Sequence, residues 1–190
     1  QDKIMSTAGE GGMFMTNDEQ LWSAAWSFKD HGKSWDKVNS DDHPPGFRWL
    51  HDSFGTNWRM TEVQGAVGRI QLRKLDSWLE ARERHAQILR DVLTGLPALR
   101  IPIPGPGVRH ANYKFYAFVV PEALKPGWDR YRVKETISAE GIPCYSGSCP
   151  EIYLEKAFAG PDMAPVERLP VARELGETSV MFLVHPTLTE

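Results

Sequence analysis

One lysine near the amino end is placed where an amine could act as a nucleophile. Lys3 stands a few residues before a glycine cluster at 9–12, which runs into the apolar residues 13–15. A lysine amine can bond covalently to an aldehyde and can carry protons between reacting atoms. Most lysines are solvated surface charges, however, and the glycines would equally permit a plain tight turn before a strand. The spacing alone leaves a reactive and an ordinary Lys3 both open.

The stretch GTNWRMTE places two polar side chains just ahead of a helix signal. Asn57 offers an amide donor and Arg59 a charged one. Thr61 and Gln64 form a capping box, so the same stretch could serve only as a loop that positions a helix. Arginine also braces structure through packing and ion pairs. Ligand binding and loop support therefore remain alternatives for Asn57 and Arg59.

A third group of polar side chains could contact a polar ligand. Hydroxyls and a carboxylate lie in a turn between a predicted strand and a short helix, at Tyr145, Ser146, Ser148, Glu151 and Tyr153. Ligand sites use a few polar groups of this kind, but serines also make turns and tyrosines also complete cores. His31 and His185 lie beside predicted element ends, where a histidine serves a ligand or the structure equally well.

Composition and charge exclude several classes of function. The chain of 190 residues has a formal net charge of −3 and no lysine or arginine stripe, so we expect no nucleic-acid partner. Its longest strongly apolar run, 180–184, is far shorter than the roughly 18 residues that a membrane span needs. Cys144 and Cys149 form one C-x4-C pair without a second pair or a histidine cluster nearby, so we expect no metal site.

The amino end, QDKIMSTAGE, lacks the basic and apolar regions of a signal peptide and does not begin with methionine. We therefore expect the chain to start inside a larger protein. Without a secretion signal, the two thiols are expected to stay reduced in the cytoplasm.

Local signals predict the elements of the first third of the chain. Residues 13–16 read as a short strand, and Asn17 with Gln20 is a capping signature that opens a helix. Gly32 is expected to end this helix. Residues 33–56 are rich in polar residues, proline and aromatics without a period, which predicts a long loop, and loops of that length are usually functional or disordered.

The clearest element is a long helix that the capping box at Thr61 begins. Apolar residues recur with helical spacing at Val63, Val67, Ile70, Leu75, Leu79, Ile88, Val92 and Leu96. Gly95 and Pro97 supply its stop signal. The proline-rich and glycine-rich stretch 101–107 is predicted to be a linker.

The remaining chain alternates strand and helix patterns. Strands are predicted at 113–120, 142–145 and 180–184, and helices at 129–140 and 165–177. Strands and helices that alternate around one core predict an α/β fold, of the α+β kind in this small domain.

Several stretches, taken in order, resemble one family. They are DKIMSTAGEGGMFMTND, DHG at 30–32, SFGTNWRMTEVQGAVGRIQL at 53–72, PCYSGSCPEIYLEKAF and FLVHPTLTE. The chain resembles the aminotransferases that use pyridoxal 5'-phosphate (PLP) and act on nucleotide-linked keto-sugars, the DegT/DnrJ/EryC1/StrS family. The resemblance implies the C-terminal portion of the aspartate-aminotransferase-like fold, fold type I. Residues 1–59 would be a remnant of the large PLP-binding domain, and 60–190 would be a long linking helix and the small C-terminal α/β domain.

The resemblance also implies roles for individual residues. Lys3 would bond covalently to PLP, and Asn57 would reach the PLP phosphate of the other subunit in a homodimer, with Arg59 adding charge. The sugar nucleotide would meet His31, His185 and the 145–153 turn, and glutamate would supply the amino group. A sister chemistry of the family, sugar dehydration, has a histidine in place of the lysine, so Lys3 argues against it.

The first half of such an enzyme, with its remaining cofactor-binding groups, lies outside this sequence. We therefore expect the parent protein to be an aminotransferase and the isolated chain to have little or no activity. A chain of a different class, a non-catalytic fragment that dimerises or binds a nucleotide, remains the alternative.

Overall fold

The computed structural model describes residues 3–160 and 163–189. The chain divides into two compact units, Gln1–Arg73 and Lys74–Glu190, which we call the first unit and the second unit. The division falls inside the longest helix. The assignment of 1–59 to a large domain and of 60–190 to a small one stays a prediction.

The first unit begins its regular structure with helix α1, Glu19–Lys29. Asp18 caps it, because its carboxylate accepts hydrogen bonds from the backbone N–H groups of Gln20 and Leu21. An acceptor at this position satisfies N–H groups that have no partner within a helix. The capping signature predicted at Asn17 is therefore wrong by one residue.

Two other expectations for the first unit differ from the structure. Residues 13–16 form no strand, and no strand among the described residues pairs with them. A strand needs a neighbour for its backbone groups, so a local β pattern alone does not make one. The predicted loop at 33–56 contains a short helix, α2, Trp35–Asn39, with Ser34 as its N-cap. Five residues are too few to show a helical period.

Three tryptophans join α1 to α2. The ring centroids of Trp22 and Trp35 lie 5.0 Å apart, and those of Trp26 and Trp35 lie 4.9 Å apart, both in edge-to-face arrangements. Such pairs contribute about 0.5–1.5 kcal/mol beyond the apolar area they bury. The aromatic contacts thus hold a short helix that would be unstable alone.

Helix α3, Glu62–Leu93, begins at the predicted capping box. Gln64 Oε1 accepts from the backbone N–H of Thr61 at 3.1 Å, and Thr61 Oγ1 accepts from the N–H of Gln64 at 3.3 Å. The helix ends two residues before Gly95. Both ends of this prediction are confirmed, because capping and stop signals are local.

The second unit contains a four-stranded sheet in the order β1-β2-β4-β3, with antiparallel neighbours throughout. The strands are β1 Leu99–Arg100, β2 Phe115–Val119, β3 Cys144–Tyr145 and β4 Ser179–Phe182. Helix α4 is Arg130–Ala139 and helix α5 is Pro170–Thr178. Helices and strands are therefore mixed around one core, as the sequence predicts.

The apolar core of the second unit lies on one face of this sheet. In β2 alternate residues are buried, Phe115, Ala117 and Val119, since successive side chains of a strand point to opposite faces. Val180 of β4 and Ala86 of α3 are completely buried beside them. This core anchors the carboxyl-terminal part of α3 to the sheet.

The element boundaries in the second unit agree only in part with those predicted from local sequence patterns. Helix α4 has Asp129 as its N-cap and Glu140 as its C-cap, which confirms the prediction at 129–140. Strand β1, with two residues, was not predicted. Helix α5 begins at Pro170 rather than at Pro165, and proline at the first helical position lacks only an N–H that has no partner there. Both prolines suit a helix start, and the helix begins at the second.

Candidate functional site

The glycine cluster after Lys3 forms a turn. Gly9 has a φ of 137°, which a residue with a side chain rarely adopts, and Ala8 before it has a φ of 54°. Thr7 Oγ1 donates to the backbone carbonyl of Gly9 at 2.6 Å and closes the turn. The chain thus bends at 8–10, where the glycines predict a turn, but the strand expected after it is absent from the described residues. Lys3 is exposed ahead of this bend.

Two glutamines of α3 hold this turn. Gln64 Nε2 donates to the carbonyl of Glu10 at 2.8 Å, and Gln71 Oε1 accepts from the backbone N–H of Ser6 at 3.2 Å. These residues are about two helical turns apart on α3, so their contacts lie along one face of it. The segment that carries Lys3 is therefore fixed to the first turns of the long helix.

Two stretches that are 25 residues apart in the sequence, DHG and GTN, lie side by side in the first unit. Asp30 and Asn57 form an isolated antiparallel bridge. Next to it, the N–H of His31 donates to the carbonyl of Thr56 at 2.9 Å, and the N–H of Thr56 donates to the carbonyl of Phe28 at 2.7 Å. Backbone bonds thus bring the predicted residues His31 and Asn57 to one place.

Glycine is required on both sides of this contact. A Cβ at Gly32, whose φ is 82°, would lie 1.8 Å from the backbone oxygen of Ser53. A Cβ at Gly55 would lie 2.4 Å from the backbone nitrogen of Gly32. No side chain fits at these distances, so the two glycines allow the backbones to approach.

A buried carboxylate lies at the centre of this region. Asp30 Oδ1 lies 3.4 Å from Lys33 Nζ and 3.7 Å from Arg59 Nε, and Asp30 Oδ2 lies 3.9 Å from Lys29 Nζ. Burial alone would raise the pKa of Asp30. The positive charges of Lys33, Arg59 and Lys29 together lower it by more than burial raises it, so the net pKa lies below the ordinary value. Asp30 is therefore a carboxylate that binds cations.

Arg59 connects this carboxylate to the predicted phosphate donor. Its Nε donates to Asn57 Oδ1 at 3.2 Å, and its Nη2 lies 3.5 Å from His31 Nε2. The structure thus brings together His31, Asn57 and Arg59, which sequence reasoning had singled out separately. We name the group of Asp30, His31, Lys33, Asn57 and Arg59 the Asp30 cluster. Sequence reasoning missed Asp30 and Lys33, and the DHG stretch was the only signal for Asp30.

The other predicted substrate-binding residues lie in the second unit, where Glu151 and Tyr153 bind each other. Glu151 is buried, and its Oε1 accepts from the hydroxyl of Tyr153 at 2.6 Å and from Nε of Arg168 at 2.9 Å. Arg168 Nη2 donates to Glu151 Oε2, and the backbone N–H of Leu169 donates to the Tyr153 hydroxyl at 2.9 Å. These bonds fasten the 145–153 turn to the start of α5.

This network explains the ionisation of its members. Hydrogen bonds from Arg168 and then from Tyr153 lower the pKa of Glu151 to about 2, although burial opposes them. Burial and the hydrogen bond to Glu151 raise the pKa of Tyr153. Arg168 was missed by sequence reasoning, because an arginine 17 residues from its partner carries no local signal. A contact of Glu151 or Tyr153 with substrate stays a prediction.

Tyr145, Ser146 and His185 have fewer internal bonds. Tyr145 is exposed in β3, while the backbone carbonyl of Ser146 accepts from the Ser179 hydroxyl at 2.8 Å. His185 is exposed, and its Nδ1 lies 2.8 Å from Thr187 Oγ1. These side chains could meet a polar ligand without the loss of a buried contact.

Residues 3–160 and 163–189 contain neither a membrane-spanning helix nor a metal-binding cluster. None of the helices there is both long enough and apolar enough to cross a membrane. In the same residues no three or more His, Cys, Asp and Glu side chains are grouped so as to hold a metal ion.

Two of the known proteins similar to this chain are an aminotransferase and a transaminase. The chain is 52% identical to an aminotransferase from Psychrobacter cryohalolentis, whose crystal structure matches all of this chain and 50% of that one with a TM-score of 0.91. It is 26% identical over 186 residues to a dTDP-3-amino-3,4,6-trideoxy-alpha-D-glucose transaminase from Streptomyces venezuelae, which covers 98% of this chain and 44% of that protein.

A third relative carries out a different reaction. The chain is 26% identical over 151 residues to a dTDP-4-dehydro-2,6-dideoxy-D-glucose 3-dehydratase from Saccharopolyspora spinosa, which covers 72% of this chain and 32% of that protein. The chain thus spans half or less of the length of each of these three proteins.

The structural match confirms the fold class that the sequence predicts, which is the C-terminal portion of an α/β fold of type I. Residues 1–190, the whole chain, align with one family. The chain belongs to the DegT/DnrJ/EryC1/StrS aminotransferase family.

Proposed function

We propose that the protein to which this chain belongs is a PLP-dependent aminotransferase. It transfers an amino group, with glutamate as the donor, to a keto-sugar that is linked to a nucleotide. The observation that carries the proposal is the position of Lys3, just ahead of a bend that Gln64 and Gln71 hold on α3, in a chain of this family. An amine on a held segment is what covalent attachment of an aldehyde cofactor requires.

The donor groups of the first unit fit PLP. Lys3 supplies a primary amine, which can bond to an aldehyde carbon. Asn57 and Arg59 supply neutral and charged N–H donors, which suit the oxygens of a phosphate. PLP, when bound, supplies the electron sink that stabilises negative charge on the reacting carbon. The protein supplies attachment, orientation and proton transfer.

Each residue of the first unit then has a task. Lys3 Nζ accepts the proton from Cα of the amino donor and later delivers a proton to the sugar carbon that receives the amine. Asn57 donates to the phosphate, and in a homodimer it does so toward the partner subunit. Arg59 places positive charge beside the same group.

The second unit contributes to recognition of the sugar nucleotide. Tyr145 and His185 are exposed and offer a hydroxyl and a ring nitrogen for sugar or ribose hydroxyls. The bonds of Glu151 and Tyr153 to Arg168 and Leu169 hold the turn that follows Tyr145 and Ser146. We assign these two side chains a supporting role, with any substrate contact made through the turn. The isolated 190-residue chain is expected to be inactive.

Sugar dehydration is the second candidate, and the relative from Saccharopolyspora spinosa is the observation in its favour. A histidine stands in place of the lysine in that branch of the family, so Lys3 favours transfer. The products separate the two reactions. Incorporation of ¹⁵N from labelled glutamate into the sugar supports transfer, and a deoxygenated sugar without nitrogen supports dehydration.

The decisive experiment on the proposed function is borohydride reduction of the PLP-loaded protein of natural length, followed by peptide mass mapping. Reduction makes a bond between lysine and PLP permanent, so we expect a pyridoxyl group on Lys3. Lys37→Ala is the matched control, because Lys37 is an exposed lysine of the same unit that pairs with Asp52. It should leave the label unchanged, whereas Lys3→Ala should abolish it. A label on another lysine, or none, contradicts the proposal.

A further inference from the structure

We infer that Asp30 is a positioning residue that acts through Arg59 on the side-chain amide of Asn57. By holding Arg59, it turns the Nδ2 end of Asn57 toward the phosphate of the cofactor. This inference rests on the proposed function and adds a residue to its site.

The orientation of the Asn57 amide follows from the chemistry of Arg59. A guanidinium carries only donors, so it must bind the oxygen end of an amide. Arg59 Nε lies 3.2 Å from Asn57 Oδ1. The NH₂ end of Asn57 is then the end directed away from Arg59, and it is the end that a phosphate oxygen can accept from. An unheld amide would present its oxygen, which repels phosphate, about as readily as its nitrogen.

Asp30 decides where Arg59 lies. The side chain of Arg59 is half exposed, with 50% of its surface accessible, so solvent competes for it. The Asp30 carboxylate is 11% exposed, and its Oδ1 lies 3.7 Å from Arg59 Nε. A charge that is nearly buried attracts a cation more strongly than an exposed one does, because less water screens it. Lys33 and Lys29 also lie near the Asp30 carboxylate. Of these three cations, it is Arg59 that donates a hydrogen bond to Asn57.

The backbone around Asp30 has its own support, which makes the inference testable. Asp30 and Asn57 form a backbone bridge, and Gly32 and Gly55 allow its close approach. Replacement of Asp30 by asparagine keeps the shape and these backbone bonds but removes the charge. The substitution therefore tests the electrostatic attraction between Asp30 and Arg59 while the backbone fold of the DHG and GTN stretches is kept.

The test compares PLP with pyridoxal, which has the same aldehyde but no phosphate. Dissociation constants for both are measured by absorbance on the protein of natural length, for the wild type and for Asp30→Asn. We expect Asp30→Asn to bind PLP about tenfold more weakly and pyridoxal equally well, since one charge-assisted hydrogen bond to phosphate is loosened. Asp52→Asn, which removes another carboxylate paired with a lysine in the same unit, should change neither constant.

A second variant covers a failure of Asp30→Asn to fold. Arg59→Lys keeps the positive charge but loses the Nε donor, and Arg59 lies at the surface. It should weaken PLP binding selectively as well. Equal losses for PLP and pyridoxal, or no loss for PLP, overturn the inference. If either of these results is found and borohydride reduction still labels Lys3, the further inference fails but the proposed function stands. If the wild-type protein shows no label on Lys3, the further inference and the proposed function both fail.

Discussion

The two units of this chain are stabilised in different ways. Among the described residues of the first unit, 3–73, only Asp30 and Gly32 are buried, and neither has an apolar side chain. The second unit buries Phe115, Val180 and their neighbours in one apolar core. The first unit therefore depends on backbone bonds, glycine contacts, aromatic pairs and charge, and the second on the hydrophobic effect.

This difference indicates which substitutions should destabilise each unit. A core distributes its stability over many contacts, whereas a region joined by a few close approaches depends on single residues. The residues proposed to hold the cofactor, Lys3 and Asn57, lie in the unit without a core. That unit also exposes large aromatic side chains at Phe47, Trp49, Phe54 and Trp58. Exposed apolar surface of this kind is typical of regions that other protein covers.

The largest effect is expected from a charge in the core of the second unit. Val180→Asp places an unpaired carboxylate at a position with no exposed surface, which costs about 4 kcal/mol or more and should unfold the sheet. Residue-resolved hydrogen exchange should show loss of protection in β2 and β4. Val166→Asp, at a fully exposed position of the same unit, is the control and should change little. Equal effects of the two variants would contradict the core described here.

A methyl group at Gly32 should have the largest effect in the first unit. Gly32→Ala forces a Cβ toward the oxygen of Ser53 and strains a positive φ, so we expect a loss of roughly 2 kcal/mol or more in the free energy of unfolding. Gly46→Ala is the matched control, because Gly46 also has a positive φ, 116°, but no atom lies within 4 Å of its Cβ position. The difference between the two variants in urea denaturation measures the close approach. Equal losses would mean that backbone strain alone explains them.

Acid should weaken the second unit through Glu151. Its pKa in the folded protein is about 2, below the ordinary glutamate value of 4.5, so its bonds to Arg168 and Tyr153 stabilise the fold fully above pH 4.5. This stability should be lost as the pH falls from 4.5 through 2. Glu151→Gln should lower stability at pH 7 and make it less dependent on pH in that window. Urea denaturation between pH 2 and pH 7 tests this, and an unchanged pH dependence in the variant would contradict it.

The smallest effect is expected at an exposed ion pair. Arg173 Nε and Glu177 Oε1 lie 2.9 Å apart, one helical turn apart on α5, and both side chains are more than half exposed. Arg173→Ala should cost only about 0.3–0.5 kcal/mol, and salt should reduce this further. Thermal unfolding at low and high salt measures it. A loss several times larger would mean that charge pairs stabilise the second unit as much as its core does.

Local features of the sequence were sufficient for much of the fold. The capping box of Thr61 and Gln64 and the helix predicted at 129–140 are confirmed, because each depends on residues within a few positions. Strand β1 and the true start of α5 were not predictable, since two residues carry no period and two prolines offered equal starts. The strand expected at 13–16 has no pairing partner among the described residues.

The sequence by itself determined the family, the long helix α3 and the identity of the candidate lysine. The tertiary structure decided the neighbours of the candidate residues: Asp30 beside Asn57, Arg59 between them, and Glu151 bound to Arg168. The physical reason is the range of the interactions. Caps and turns form within one or two turns of chain, whereas ion pairs and backbone bridges depend on distances that only the folded chain establishes.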